Sequence, residues 1–294
     1  MKLLDQLWRK DTDPAPSAPG PLDGEEGRTG QPEPPAGTAV PRIRVVAPQI
    51  SATAPTLPFD GREPRAAEQY KLIRTKIVHH PRSLKVIAVS SPQLGDGKTV
   101  TAVNVAGAMA LKDEFNTLLV DADCRRSRVA EVLGIPSSPG LMDVLAGQCA
   151  PHEAIVRLES YPNLYVLPAG AGRRGPSELL DSRNWKALAE ELRACFSFVV
   201  IDTPPVGVVA DYELVQTVAD GVVIVVRPDH TNRERCYLAL EAVTPEKLVG
   251  VVTNCVPDWF LQPSHPHDYD YYSGTSRARK QAPEDDPGPA VKRS

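Results

Sequence analysis

Residues 84–100 read LKVIAVSSPQLGDGKTV, and the pattern TAVNVAGAMAL follows at residues 101–111. The apolar, β-branched run predicts a strand, the glycines predict a tight turn, and the spacing after them predicts a helix. In such a turn the backbone N–H groups point inward, and the helix that follows adds the positive end of its dipole. This arrangement predicts a phosphate-binding loop, although Pro92 stands where the strict pattern has its first glycine, and GDGKT alone also fits an ordinary turn.

Several loop residues each match one requirement of a bound triphosphate. Gly95 and Gly97 let the backbone curl, Lys98 supplies a mobile cation, and Thr99 offers a hydroxyl to Mg²⁺. The predicted ATP-binding residues are Gly95, Asp96, Gly97, Lys98, Thr99 and Val100.

Acidic residues end two further apolar runs, LLVDAD at 118–123 and FVVIDTPP at 198–205. An aspartate at the carboxyl end of a strand can hold Mg²⁺ or take a proton from an attacking hydroxyl, which are the tasks of phosphoryl transfer. One such aspartate could equally cap a turn, but three that converge with the loop favour chemistry. The predicted metal ligands are Thr99, Asp121 and Asp202, and the predicted catalytic residues are Lys98, Asp121, Asp123 and Asp202.

The rest of the central region alternates between two patterns. Short runs that are apolar on both faces are typical of strands in a parallel sheet covered by helices, and helical patterns lie between them. The predicted strands lie in 84–91, 116–123, 163–170, 196–203, 221–227 and 248–254, and the predicted helices are 66–80, 98–112, 183–195, 208–219 and 232–244. We therefore predict an α/β fold with a doubly wound, mainly parallel sheet, which binds ligands beyond the carboxyl ends of its strands.

The two ends of the chain are richer in proline than its middle. Of the 30 prolines, 12 lie in residues 1–66, 12 in residues 67–256 and 6 in residues 257–294. Such Pro-rich ends with few periodic apolar residues do not bury enough surface to fold. The expected organisation is a disordered segment over 1–66, a P-loop domain over 67–256 and a flexible tail over 257–294.

The composition also indicates the cellular compartment and argues against nucleic-acid binding and a membrane span. The five cysteines are odd in number and lack metal-site spacing, which favours a reduced, cytoplasmic protein. A net charge of −4 gives no long-range attraction for nucleic acid. The longest wholly apolar run, near residues 221–226, is far shorter than a membrane span of roughly 18 residues.

The motifs together resemble a known family. SSPQLGDGKT, LLVDAD followed by Arg125, and FVVIDTPP resemble the Walker A, A′ and B motifs of the bacterial tyrosine kinases (BY-kinases) of capsule and exopolysaccharide operons, of the cytoplasmic CpsD/CapB-like type. The resemblance continues through GLMDVLAG (140–147), GPSELL (175–180) and ADGVVIVVR (219–227). It implies a P-loop NTPase fold of the MinD/ParA-like branch, in which Lys98 and Thr99 bind ATP and Mg²⁺, Asp121 assists the attacking tyrosine, and Asp123 and Asp202 complete the site. It also implies a contact of Asn254 with adenine.

The same resemblance assigns roles outside the nucleotide site. It implies autophosphorylation of the cluster Tyr269, Tyr271 and Tyr272 between neighbouring subunits, and oligomerisation through Glu68, Lys71 and Arg74, where Lys71 replaces an arginine of the family pattern. The implied partners are a transmembrane polysaccharide co-polymerase adaptor, which recruits the kinase to the inner face of the membrane, further copies of the chain, and a cognate tyrosine phosphatase.

Two other functions stay open on the residues alone. A MinD/ParA-like ATPase would localise cargo through nucleotide-switched dimers, but its signature lysine is replaced here by Gln93. A nucleotide-binding scaffold would regulate polysaccharide assembly without turnover. Neither accounts for the tyrosine cluster, so the kinase is the leading hypothesis.

Overall fold

The sheet of the computed structural model confirms the predicted fold class. The structure describes residues 43–50, 55–172 and 175–256. Within these residues eight strands form one sheet, in the order β1-β4-β5-β3-β6-β2-β7-β8. The strands are β1 (Arg44–Val46), β2 (Val86–Ser90), β3 (Thr117–Asp121), β4 (Val156–Leu158), β5 (Tyr161–Leu167), β6 (Phe198–Asp202), β7 (Gly221–Val226) and β8 (Leu248–Thr253). All neighbouring strands pair in parallel except β4 and β5.

Helices cover both faces of this sheet. In the described residues they are α1 (Pro64–Val78), α2 (Lys98–Ala110), α3 (Val129–Leu133), α4 (Leu141–Leu145), α5 (Pro151–Ala154), α6 (Pro176–Leu180), α7 (Arg183–Cys195), α8 (Ala210–Val218) and α9 (Arg233–Ala242). Alternate residues of β2 enter opposite cores: Val86 and Ala88 pack with α6, α7 and α8, whereas Ile87 and Val89 pack with α1 and α2. Because both faces are buried, β2, β3 and β6 are continuous apolar runs.

The structure differs from the predicted N-terminal boundary. The Pro-rich composition predicts disorder through residue 66, but β1 adds a parallel strand to β4, and Leu57 is buried. The side chain of Asn104 in α2 accepts a hydrogen bond from the Leu57 N–H (2.6 Å) and donates one to the Pro55 carbonyl (2.7 Å). The side chain of Asn104 therefore links residues 55–57 to α2 without a periodic apolar pattern in the sequence.

Other parts of the prediction lie outside the described residues, among them residues 1–42 and the tail 257–294 with its three clustered tyrosines. The chain divides into two compact units, Met1–Asn254 and Cys255–Ser294, and the second is described only at Cys255 and Val256. Within the described residues, no helix combines the length and hydrophobicity that a membrane span requires.

Candidate active site

The loop between β2 and α2 has the backbone that its glycines predict. Gly95 (φ 89°) and Gly97 (φ 95°) are both left-handed, a conformation that glycine adopts at low cost. Gly97 is the N-cap of α2, and a Cβ there would collide with the side-chain amide of Asn254. Because Gly97 has no side chain to cap the helix, the first N–H groups of α2 stay available to an anion.

The predicted acidic residues meet the loop at one edge of the sheet. Asp121 and Asp202 are register partners at the carboxyl ends of β3 and β6. The Lys98 ammonium donates to Asp123 Oδ2 at 2.7 Å and lies 4.0 Å from Asp202 Oδ1. The Thr99 hydroxyl donates to Asp202 Oδ2 at 2.7 Å. The structure thus brings together every residue of the predicted catalytic and metal sets, all of them buried.

Burial and mutual repulsion shift the protonation of these groups. Desolvation, reinforced by the charge of Asp202, raises the pKa of Asp121 to about 8. Desolvation also raises the pKa of Asp202 to about 6, although Lys98 and the Thr99 hydroxyl oppose it. Burial alone would lower the pKa of Lys98, but the charges of Asp202 and Asp123 outweigh it and raise the value. Three carboxyl groups face one ammonium, so a further cation at the site would lower the raised pKa values of Asp121 and Asp202.

The donor set of the site suits Mg²⁺. Asp121 Oδ1 and Asp202 Oδ1 are buried, and neither has a hydrogen-bond partner among the described residues. Mg²⁺ prefers oxygen ligands and takes only one or two carboxylates from the protein, with water and phosphate completing its shell. The described residues contain no cluster of three or more His, Cys, Asp or Glu of the kind that holds a metal by protein ligands alone. Thr99, Asp202 and Asp121 therefore fit a cation that arrives with a nucleotide.

Asp96 and Val100, both predicted to bind ATP, lie in the loop and in the first turn of α2. The Asp96 carboxylate is fully buried and turns toward protein groups: it accepts from the Gln93 N–H at 3.1 Å and from the Thr231 hydroxyl at 2.8 Å. The Asn254 side chain, expected near adenine, donates to the Asp96 carbonyl at 3.0 Å. Thr231 was missed by the sequence analysis because its partner lies 135 residues away and its own surroundings form no motif.

A second polar cluster lies beyond Asp123. Arg125 donates to the fully buried carboxylate of Asp211 at 2.8 Å and to the Ser177 hydroxyl at 2.8 Å. These contacts join the turn after β3 to α6 and α8. The only sequence signal for Asp211 was an acid within the otherwise apolar pattern that begins α8.

The predicted oligomerisation residues lie on α1. Lys71 forms an ion pair with Glu68 at 2.7 Å on the exposed side of the helix. Arg74 instead donates to the Ala108 carbonyl at 3.0 Å, near the end of α2. Their contact with another subunit stays a prediction.

Known proteins match the part of the chain that builds this site. A family model described as an AAA domain matches residues 84–240. Tyrosine-protein kinase YwqD of Bacillus subtilis is 35% identical over 198 residues, which cover 65% of this chain and 83% of that protein. Tyrosine-protein kinase CpsD of Streptococcus pneumoniae serotype 4 is 32% identical over 196 residues, which cover 65% and 84%. The crystal structure of the chimerical protein CapA2B2 superposes with a TM-score of 0.66 at 30% identity, covering 73% of this chain and 94% of that one.

Proposed function

This chain belongs to the bacterial tyrosine-protein kinases, and from that premise we propose that it is an ATP- and Mg²⁺-dependent autokinase of capsule or exopolysaccharide assembly. Its proposed acceptors are Tyr269, Tyr271 and Tyr272. The observation that carries the proposal is the meeting of a glycine-rich loop with three buried aspartates at one sheet edge. Two of these aspartates have an oxygen without a hydrogen-bond partner among the described residues. Phosphoryl transfer depends on this kind of positioning and charge stabilisation.

Phosphate binding is assigned to the loop and its lysine. The N–H groups of the loop and of the first turn of α2 would hold the phosphate oxygens, and the Lys98 ammonium would move from Asp123 to share its charge with them. Mg²⁺, held by Thr99 and Asp202, would supply positive charge to the β- and γ-phosphates when bound. We assign the adenine ring of ATP to a cavity of about 330 Å³ that is lined by Val226, Pro228, Tyr237 and neighbouring residues.

Proton transfer is assigned to Asp121. A tyrosine hydroxyl, whose pKa is near 10, must lose its proton as it attacks the γ-phosphate. Burial and the nearby charge of Asp202 raise the pKa of Asp121 to about 8, so this carboxyl is largely protonated near pH 7. The positive charge of bound Mg²⁺ would lower the pKa and leave a carboxylate that can accept the tyrosine proton. This supports Asp121 as the group that accepts the tyrosine proton.

The acceptors are proposed to come from a neighbouring subunit. Three of the eight tyrosines lie in HDYDYYSG at 267–274. An acceptor hydroxyl must approach the γ-phosphate in line, which the fully buried Tyr212 cannot do. A transmembrane polysaccharide co-polymerase adaptor would recruit the kinase to the inner face of the membrane and activate it, and a phosphatase would reverse the modification.

The proposal is tested with purified full-length protein, ATP and Mg²⁺, with and without the cytoplasmic segment of the adaptor. Mass spectrometry should find phosphate on the tail tyrosines, and Lys98→Met should reduce it by at least about 100-fold, as loss of a transition-state charge partner does. Lys112→Met, at an exposed lysine after α2, is the matched control and should phosphorylate normally.

Three results would contradict the proposal in different ways. Undiminished phosphotyrosine in Lys98→Met would remove the loop from the mechanism. Hydrolysis of ATP without phosphotyrosine would identify a MinD/ParA-like ATPase, and tight ATP binding with neither product would identify a scaffold.

A further inference from the structure

The turn between β7 and α9, residues 227–231, holds the outer side of the ATP-binding loop. The Gln93 side-chain amide donates to the His230 carbonyl at 2.8 Å. The His230 ring nitrogen Nε2 donates to the Leu94 carbonyl at 3.0 Å, and the Thr231 hydroxyl donates to Asp96 Oδ1 at 2.8 Å. Three successive hydrogen bonds therefore connect this turn to consecutive parts of the loop.

Asp96 joins one of these contacts to a hydrogen bond within the loop. Its carboxylate is fully buried and also accepts from the Gln93 N–H, so it bonds to its own loop and to Thr231 at once. The left-handed glycines Gly95 and Gly97 lie on either side of it. Glycine loses more conformational freedom on ordering than any other residue, so a loop that depends on two of them needs restraint from outside.

We propose that Thr231 and His230 are positioning residues of the kinase, which hold the loop in its phosphate-binding shape before ATP arrives. Neither residue is assigned a contact with phosphate; they act through Asp96 and Leu94. A loop that is ordered in advance binds its ligand more tightly, because less conformational freedom is lost on binding. This inference rests on the proposed function, since it concerns the same nucleotide site.

The position of Thr231 gives it a second connection to the nucleotide. Thr231 lines the cavity proposed for the adenine ring, and its hydroxyl donates a hydrogen bond to the Asp96 carboxylate of the loop. Gln93 stands where MinD/ParA-like proteins have their signature lysine. Its side-chain amide donates to the His230 carbonyl of the same turn.

Thr231 also stabilises its own turn, because its hydroxyl accepts from the Arg227 N–H at 2.7 Å. A substitution at Thr231 alone would therefore not separate loop positioning from turn stability. His230 separates them, because its ring bonds to Leu94 and is partly exposed, so His230→Ala removes one contact with the loop and leaves the hydroxyl of Thr231 in place.

The test measures ATP binding by titration calorimetry and steady-state kinetics on full-length variants. Thr231→Val should raise the Kd and KM for ATP by about tenfold, and His230→Ala by about threefold, as expected for one charged and one neutral hydrogen bond, while kcat changes less than KM. Thr231→Ser keeps the hydroxyl and should restore wild-type binding. The control is Thr217→Val, an exposed threonine whose hydroxyl bonds to Leu214 within α8.

The outcomes separate this inference from the proposed function. If the wild type binds no ATP, the proposed function fails and the inference fails with it. If the wild type binds ATP but Thr231→Val and His230→Ala bind it equally well, only the inference is overturned. It is also overturned if Thr231→Ser is as weak as Thr231→Val, or if the variants lose thermal stability while KM stays unchanged.

Discussion

The carboxylate of Asp220 binds the residues at the start of β2, the strand that leads into the glycine-rich loop. Its Oδ2 accepts from the Lys85 N–H at 2.9 Å and from the Val86 N–H at 2.8 Å, and both of its oxygens lie 2.8 Å from Arg193 Nη1. Asp220→Asn keeps one acceptor oxygen and removes the negative charge. The new amide NH₂ group would face N–H donors that now bind a carboxylate oxygen. We predict that this substitution destabilises the domain.

The hydrogen bonds of Asp220 give the expected size of this destabilisation. A hydrogen bond to a charged group contributes roughly 1.5–3 kcal/mol and a neutral one roughly 0.5–1.5 kcal/mol, and the amide can still satisfy part of the set. The expected loss is therefore about 2 kcal/mol in the free energy of unfolding. For a domain of this size it corresponds to a Tm lowered by roughly 4–8 °C.

The pKa of Asp220 determines whether the stability difference between wild type and Asp220→Asn grows or shrinks as the pH falls. Burial alone would raise this pKa, but the N–H groups of Val86 and Lys85 and the charge of Arg193 outweigh it and lower the pKa from its ordinary value of 3.8. A group with a lowered folded-state pKa stabilises the fold above its unfolded-state pKa, and this contribution is lost as the pH falls through the folded-state value. The gap between wild type and Asp220→Asn should thus be full at pH 7 and narrow below about pH 4.

Urea unfolding followed by circular dichroism, repeated from pH 7 to pH 3.5, measures this gap. Asp113→Asn, at an exposed aspartate in the turn after α2, is the control and should unfold like the wild type. The reasoning is refuted if Asp220→Asn has the same urea midpoint as Asp113→Asn at pH 7, or if the gap widens as the pH is lowered.

Two further predictions concern the loop and the N-terminal segment. Gly97→Ala should weaken ATP binding at least about tenfold in calorimetry, because its Cβ would meet the side chain of Asn254 at a left-handed position; Gly147→Ala, also left-handed but in open space, is the control and should bind ATP normally. Asn104→Ala removes both contacts with residues 55–57 and should lower the free energy of unfolding by about 2 kcal/mol and speed limited proteolysis of that segment. Unchanged cleavage would show that other contacts hold the segment.

The strands that sequence reasoning found and those it missed differ in length and burial. The central strands β2, β3 and β6 are buried on both faces, so each is a continuous apolar run that can be read locally. Strands β1 and β4 have three residues each, too few for a periodic pattern. Strand β4 pairs with its neighbour in the chain, β5, and also with β1, and the pairing of β1 with β4 joins residues more than a hundred positions apart.

The sequence alone determined the loop, the aspartates at two strand ends and the alternation of strands and helices, because each is a local pattern whose physical cause lies within a few residues. The tertiary structure decided which groups face one another. It buried Asp202 and Asp121 side by side, so that burial raises both pKa values and the charge of Asp202 raises that of Asp121 further, and it turned the Asp96 carboxylate toward Thr231. Strand order and side-chain direction depend on the packing of distant segments, and no local pattern contains that information.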